Sequence, residues 1–180
     1  MDKICNHFHL SLQSGCDETL KRMNRKYKAE EFEKCVNLLR KTFQDVGLTA
    51  DVIVGFPGET EEEFNCTYKF LDKIKFSKIH VFKYSPREGT RAAVMKEQIP
   101  NEIKEERSKK LIDISNKYEI EFLENQIGKT LEVLFEQQDG DCWKGHTRNY
   151  IIVKKKDTNL ENKCIDVVIS EREGLELIAD

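Results

Sequence analysis

Three short runs with strand character, at 7–13, 48–56 and 78–84, are separated by two segments of helical periodicity. That succession limits the first ninety residues to very few topologies. The first run alternates strictly. His7, His9, Ser11 and Gln13 share one face, and Phe8, Leu10 and Leu12 share the other. Alternation alone fits two structures. One is an antiparallel strand with one wet face. The other is a strand of an α/β barrel, apolar under its helices and polar toward an interior. The run Val52-Ile53-Val54 is short and β-branched, as in a strand buried on both faces. Asp51 beside it either starts the strand at the rim or points into a polar interior. Connections of this length predict parallel strands with crossover helices. Three strands do not close a barrel, so an N-terminal portion is expected to lie outside this chain.

Between the first two strands, Ser14 or Asp17 is placed to cap a short helix. Lys21, Arg22, Arg25, Lys26 and Lys28 follow, five cations within eight residues. They are either phosphate or carboxylate contacts near the strand's end or a solvated helix face. A longer amphipathic helix is expected over 30–46. Phe32, Cys35, Val36, Leu39 and Phe43 form its stripe, Cys35 belongs to the core, and Gly47 serves as the C′ residue. Thr60 with Glu63 three residues on is a capping box, and its helix should run to about 74. The turn Gly55-Phe56-Pro57-Gly58 allows a ligand to approach the backbone closely. It is not a GxGxxG fingerprint. In parallel α/β barrels the reactive groups gather at the C-terminal strand ends. Here those ends carry Gln13-Ser14, Phe56-Pro57-Gly58 and Ser85-Pro86-Arg87.

A long charged helix is expected over 100–126, with Ile103, Leu111, Ile114, Tyr118 and Phe122 as its stripe. Beyond it strands follow without helices between them, at 131–136, 143–153, 163–170 and 175–179. Turns such as Asp139-Gly140-Asp141 separate them. This predicts a small β-barrel, and a division into units 1–126 and 127–180. Such barrels hold single-stranded nucleic acid by stacking and backbone contacts. The candidates are Trp143, His146, Arg148, Tyr150, Lys154, Lys155 and Lys156. From 126 to 180 there are eight Lys and Arg against eleven Asp and Glu, so any basic face is local.

Over all 180 residues the net charge is −3, which does not mark a nucleic-acid binder. No apolar run reaches membrane-spanning length and no signal-peptide pattern opens the chain, so a cytoplasmic location without a membrane partner is expected. None of the six cysteines has CxxC or CxxxCxxC spacing, which predicts no metal site, and in a lysine-rich chain without a signal peptide they read as reduced thiols.

The stretches HLSLQSGCDETLKRMNRKY, DVIVGFPGETEEEF and HVFKYSPREGTRAA, in that order, closely resemble the radical S-adenosylmethionine methylthiotransferases. The last segment, from IGKTLEVLFE through GHTRNYIIV, resembles their TRAM domain. SLQSGCDETLKRMNRKY is most similar to the branch that methylthiolates N6-threonylcarbamoyladenosine in tRNA. The resemblance implies an α/β fold, the C-terminal half of a partial (β/α) barrel with parallel strands, followed by an all-β TRAM barrel. It implies S-adenosylmethionine and two 4Fe–4S clusters as cofactors. In the family one cluster cleaves S-adenosylmethionine, the resulting radical activates C2 of the modified adenosine beside the anticodon, and a second cluster supports sulfur insertion. A further S-adenosylmethionine supplies the methyl group. Carried over residue by residue, Gln13, Ser14, Arg25, Asp51, Phe56, Pro57 and Gly58 fall beside the cofactor pocket. Arg25 alternatively makes a structural ion pair. The cluster ligands do not lie in this chain, and Cys16 stands where relatives have a small residue. The expected partners are the tRNA anticodon loop and the missing N-terminal half, and this chain alone is expected to form no radical. The alternatives are an RNA-binding module without catalysis, a methylthiotransferase of the isopentenyladenosine branch, and an unrelated α/β-barrel hydrolase fragment, for which no nucleophile–base pair is visible.

Overall fold

The computed structural model describes residues 3–180. Three parallel strands, β1 (His7–Gln13), β2 (Gly47–Val54) and β3 (Lys78–Lys83), form a sheet in the order β1-β2-β3. The helices α1 (Asp17–Arg22), α2 (Ala29–Thr42), α3 (Glu61–Ile74) and α4 (Asn101–Glu124) make up the helical part, and a 3-10 turn spans Arg91–Val94. The expected strand–helix–strand–helix–strand order and the parallel pairing are both present.

The alternation read from β1 holds for β2 as well. Leu12, Leu48, Ala50, Val52 and Val54 are buried in one core with Val36, Phe64, Leu71, Leu111 and Tyr118 from the helices. The opposite face carries His7, His9, Thr49, Asp51 and Ile53. Ile53 is only half-buried there, so the run around it is not covered on both sides as its composition suggested. Asp51 is the fifth residue of β2 and sits on this open polar face rather than at the rim.

Several local expectations change. The helix expected over 30–46 ends at Thr42, because Phe43 turns extended, at φ −121°, and packs its ring 5.0 Å from Phe8. Gly47 then starts β2 and is no C′ residue; Asp45 takes a left-handed conformation instead, at φ 49°. Cys35 is exposed, since the buried stripe of α2 centres on Val36. Neither Ser14 nor Asp17 caps α1: the N-cap is Cys16 without a side-chain bond, and Asp17 accepts from the Ala29 amide at the start of α2 (2.8 Å). Thr60 and Glu63 make the expected capping box on α3. On α4, Ile103 is 38% exposed, while Lys104 and Arg107 are buried where β2 and its loop meet the helix.

After α4 come β4 (Thr130–Asp139), β5 (Cys142–Thr147), β6 (Ile152–Lys156), β7 (Lys163–Glu173) and β8 (Glu176–Ala179). They close a barrel in the order β4-β5-β6-β8-β7, parallel only between β6 and β8. The single strand expected over 143–153 is two. The chain turns at 148–150, where Tyr150 has φ 67° and its amide donates to the Thr147 carbonyl (3.0 Å). The Ile151 amide donates to the Thr147 hydroxyl (2.9 Å), which fixes the turn. The barrel core holds Val133, Phe135, Trp143, Val153, Ile169 and Leu177.

The 148–150 turn rests on the N-terminal ends of β1 and β2. Asn149 Nδ2 donates to the Asp45 carbonyl (3.0 Å), and Lys129 pairs with Asp45 (2.8 Å). Tyr150 stacks with two imidazoles, His7 of β1 at 5.0 Å and His146 of β5 at 4.8 Å.

Candidate functional site

The C-terminal ends of the three strands converge on two adjoining cavities. One, of about 350 Å3, is lined by Gln13, Asp51, Phe82, Tyr84 and Arg87 among others. The other, of about 620 Å3, is walled by Lys21, Arg22, Phe56, Arg91 and Met95, and Ala92 borders both. Parallel strands with short loops at one end produce such a site, because every loop following a strand emerges on the same side.

Gln13 is 8% exposed and ends β1 in the left-handed region, at φ 67°, which turns the chain out of the sheet at the cavity. Ser14 is fully buried and serves the loop: its Oγ accepts from the Cys16 amide (3.2 Å) and lies 3.0 Å from Thr67 Oγ1. Asp51 reaches His9 Nε2 at 3.2 Å, and His9 Nδ1 lies 2.9 Å from Thr49 Oγ1, so a polar chain crosses the open face. Phe56 is 7% exposed, with its ring edge-on to Tyr84 at 5.2 Å. Pro57 is buried behind it. Gly58, at φ 77°, donates its amide to the Glu97 carbonyl (2.8 Å), and a Cβ there would stand 2.8 Å from Glu97 Oε2. Arg25 lies exposed beyond α1, apart from both cavities.

Arg22, a neighbour in the same cation run, occupies the wall instead. Its guanidinium grips Glu63 with both terminal nitrogens, Nη1 to Oε1 at 2.8 Å, and touches Thr19 Oγ1 (3.3 Å). That bond holds the Glu63 carboxyl below its ordinary range and raises Arg22. A second ion pair lies beneath the Gly55–Gly58 turn. Glu59 and Arg107, 2% and 6% exposed at the side chain, meet at 2.8 Å. Glu59 also accepts the Gly55 amide (2.7 Å), and Arg107 donates to the Glu59 carbonyl (3.0 Å). Burial raises the Glu59 carboxyl in spite of these donors. Arg107 comes from a helix remote in sequence, and only the acidic residue after the Pro-Gly turn hinted at such a partner.

The donor set at the strand ends suits a polar, nitrogen- and oxygen-rich ligand. Among the described residues none bonds the buried Tyr84 hydroxyl, which stands beside the cavity that Gln13 and Asp51 line. S-adenosylmethionine, with an amino acid end and a ribose, has the groups such a site would satisfy. An iron–sulfur cluster does not fit. Among the described residues no three metal-ligating side chains converge, and the six cysteines are dispersed.

On the barrel, Trp143 is 7% exposed and part of the interior, where its ring is not offered to a base. Tyr150 is 64% exposed, and its ring already stacks with the His7 and His146 imidazoles. His146 meets Glu136 (2.6 Å) and Arg148 meets Glu132 (3.4 Å). Lys154 is paired with Glu176 (2.6 Å), Lys155 bonds the Asp180 carbonyl, and Lys156 meets Asp141 (2.6 Å). The lysine run is thus matched by acidic groups, as the charge count foreshadowed. A further cavity of about 640 Å3 lies between barrel and sheet, and all four histidines of the chain line it.

The sheet of parallel strands, helix-covered on one face and open to a polar space on the other, is an α/β half-barrel. Residues 1–71 match the radical SAM superfamily. The fold is similar to that of coproporphyrinogen III oxidase (HemN) from Escherichia coli, with a TM-score of 0.55 over 79% of this chain and 41% of that one, at 15% identity. The chain is 44% identical over 174 residues to the threonylcarbamoyladenosine tRNA methylthiotransferase MtaB of Bacillus subtilis, which covers 93% of this chain and 39% of the relative. It is 39% identical over 173 residues to the tRNA-2-methylthio-N(6)-dimethylallyladenosine synthase of Acetivibrio thermocellus, 94% of this chain and 36% of the relative. Over nearly its whole length the chain is similar to these tRNA methylthiotransferases, and it spans less than half the length of these curated relatives.

Proposed function

We propose that this chain is the C-terminal portion of a tRNA methylthiotransferase that modifies C2 of N6-threonylcarbamoyladenosine beside the anticodon. The observation that carries the reading is the convergence of Gln13, Asp51 and Phe56 on the strand-end cavities, within a sequence 44% identical to a relative of that name. Gln13, Asp51 and the Tyr84 hydroxyl would hold the polar ends of S-adenosylmethionine, and Gly58 would keep the loop close to it. When bound, that cofactor supplies the radical-initiating and methyl-donating chemistry. The chain's own part is to fix donors and acceptors around it and to exclude water with Phe56 and Tyr84. We divide the chain at 126/127 and read the barrel as a TRAM domain that holds tRNA, through the rim around Arg148 and Lys156 rather than through Trp143.

Filter binding of a tRNA transcript tests the RNA half of the proposal. Affinity should fall linearly on a log–log scale as salt rises. Failure to retain tRNA even at low salt would remove the TRAM reading. Retention without any S-adenosylmethionine binding by calorimetry would leave a binding module only. Iron–sulfur reconstitution of this chain should yield no 5′-deoxyadenosine, and its detection would overturn the expected inactivity. A second reading, the dimethylallyladenosine branch, is favoured by the relative from A. thermocellus. Competition between anticodon hairpins bearing the two modifications separates the branches.

A further inference from the structure

The loop joining β1 to α1 is fastened to α3 by three independent contacts. Ser14 Oγ lies 3.0 Å from Thr67 Oγ1. The Cys66 thiol donates to the Gly15 carbonyl at 3.7 Å. Gly15 itself lies so close to the helix that a Cβ there would stand 2.7 Å from Phe70 Cβ. This brings the backbones carrying Cys16 and Cys66 side by side, since Cys66 bonds the carbonyl of the residue just before Cys16. Cys16 is buried, at 6% exposure, while Cys66 is exposed, so one sulfur is open to solvent and the other stands behind it. The strand-end site uses neither. The other cysteines lie elsewhere, Cys5 ahead of β1, Cys35 on α2, and Cys142 and Cys164 on the barrel.

We propose that Cys16 and Cys66 form a dithiol site that reacts with low-molecular-weight disulfides and closes to an intramolecular disulfide. The Cys66 thiolate attacks one sulfur of the reagent, forming a mixed disulfide and releasing one thiol. The Cys16 thiolate then attacks the Cys66 sulfur, forming the Cys16–Cys66 bond and releasing the second thiol. The two protein thiols give up two electrons and two protons, and the reagent gains both. Burial and the neighbouring Cys16 raise the Cys66 thiol, so the reaction should quicken at alkaline pH. The bond would tie α1 to α3 beside the Arg22–Glu63 contact, stiffening the wall of the larger strand-end cavity. The inference rests on these contacts alone and survives failure of the methylthiotransferase reading.

The test is to incubate the reduced protein with oxidised glutathione at neutral and mildly alkaline pH, alkylate the remaining thiols and map peptides by mass spectrometry. The expected product has lost two hydrogens, contains a Cys16–Cys66 crosslinked peptide, forms faster at the higher pH and is reversed by dithiothreitol. Cys66→Ser should leave Cys16 alkylatable, and Cys35→Ser should change nothing. A stable glutathione adduct on Cys66 with Cys16 still alkylatable would overturn the proposal. Crosslinks from Cys66 to the other cysteines at equal yield would do the same.

Discussion

Glu59 and Arg107 show what a single buried charge demands of its surroundings. Each is almost wholly removed from water, and the pair is supported by the Gly55 amide, the Glu59 carbonyl and a further contact of Arg107 with Glu61 (3.2 Å). Arg107→Ala leaves the Glu59 carboxylate buried without its cation, so we expect a loss of about 3–5 kcal/mol, read as a lower urea midpoint. His7 gives a pH dependence of definite sign. Burial, then His9 and His80, hold its imidazole below the ordinary 6.5. The unfolded chain therefore binds the proton first as pH falls, and stability is full above 6.5 and drops below it. His7→Gln should flatten that part of a plot of stability against pH.

At the scale of elements, much of the first half was legible in the sequence. Alternation in β1, the β-branched run in β2 and the Thr60 capping box each act locally, and each reports its element correctly. What escaped detection was set by neighbours far along the chain. Gly47 looks like a helix terminator, but its missing side chain is required by the barrel: a Cβ there would stand 2.4 Å from the Asn149 carbonyl oxygen. The Arg22 grip on Glu63 was hidden inside a cation run that reads as a solvated face, and Arg107 inside a charged helix. Lys154 and Lys156 looked like a basic patch because their acidic partners, Glu176 and Asp141, belong to other strands or turns. Gly47→Ala should lift the 148–150 turn from the sheet. Hydrogen exchange should then quicken at 148–151 and at the start of β2, with little change in the barrel interior.

For the whole molecule, the position of that turn matters more than its energy. The barrel touches the sheet where the strands begin, at Asp45, Gly47 and His7, whereas Gln13, Pro57 and Arg87 sit where the strands finish. Seven residues of β1 separate the two ends, roughly 20 Å at about 3.3 Å per residue. A lone nucleoside is too short to bridge that gap. Under the proposed reading, an RNA held by the barrel with one base at the strand ends would have to span that distance, so hairpins long enough to reach both ends should bind better than short fragments.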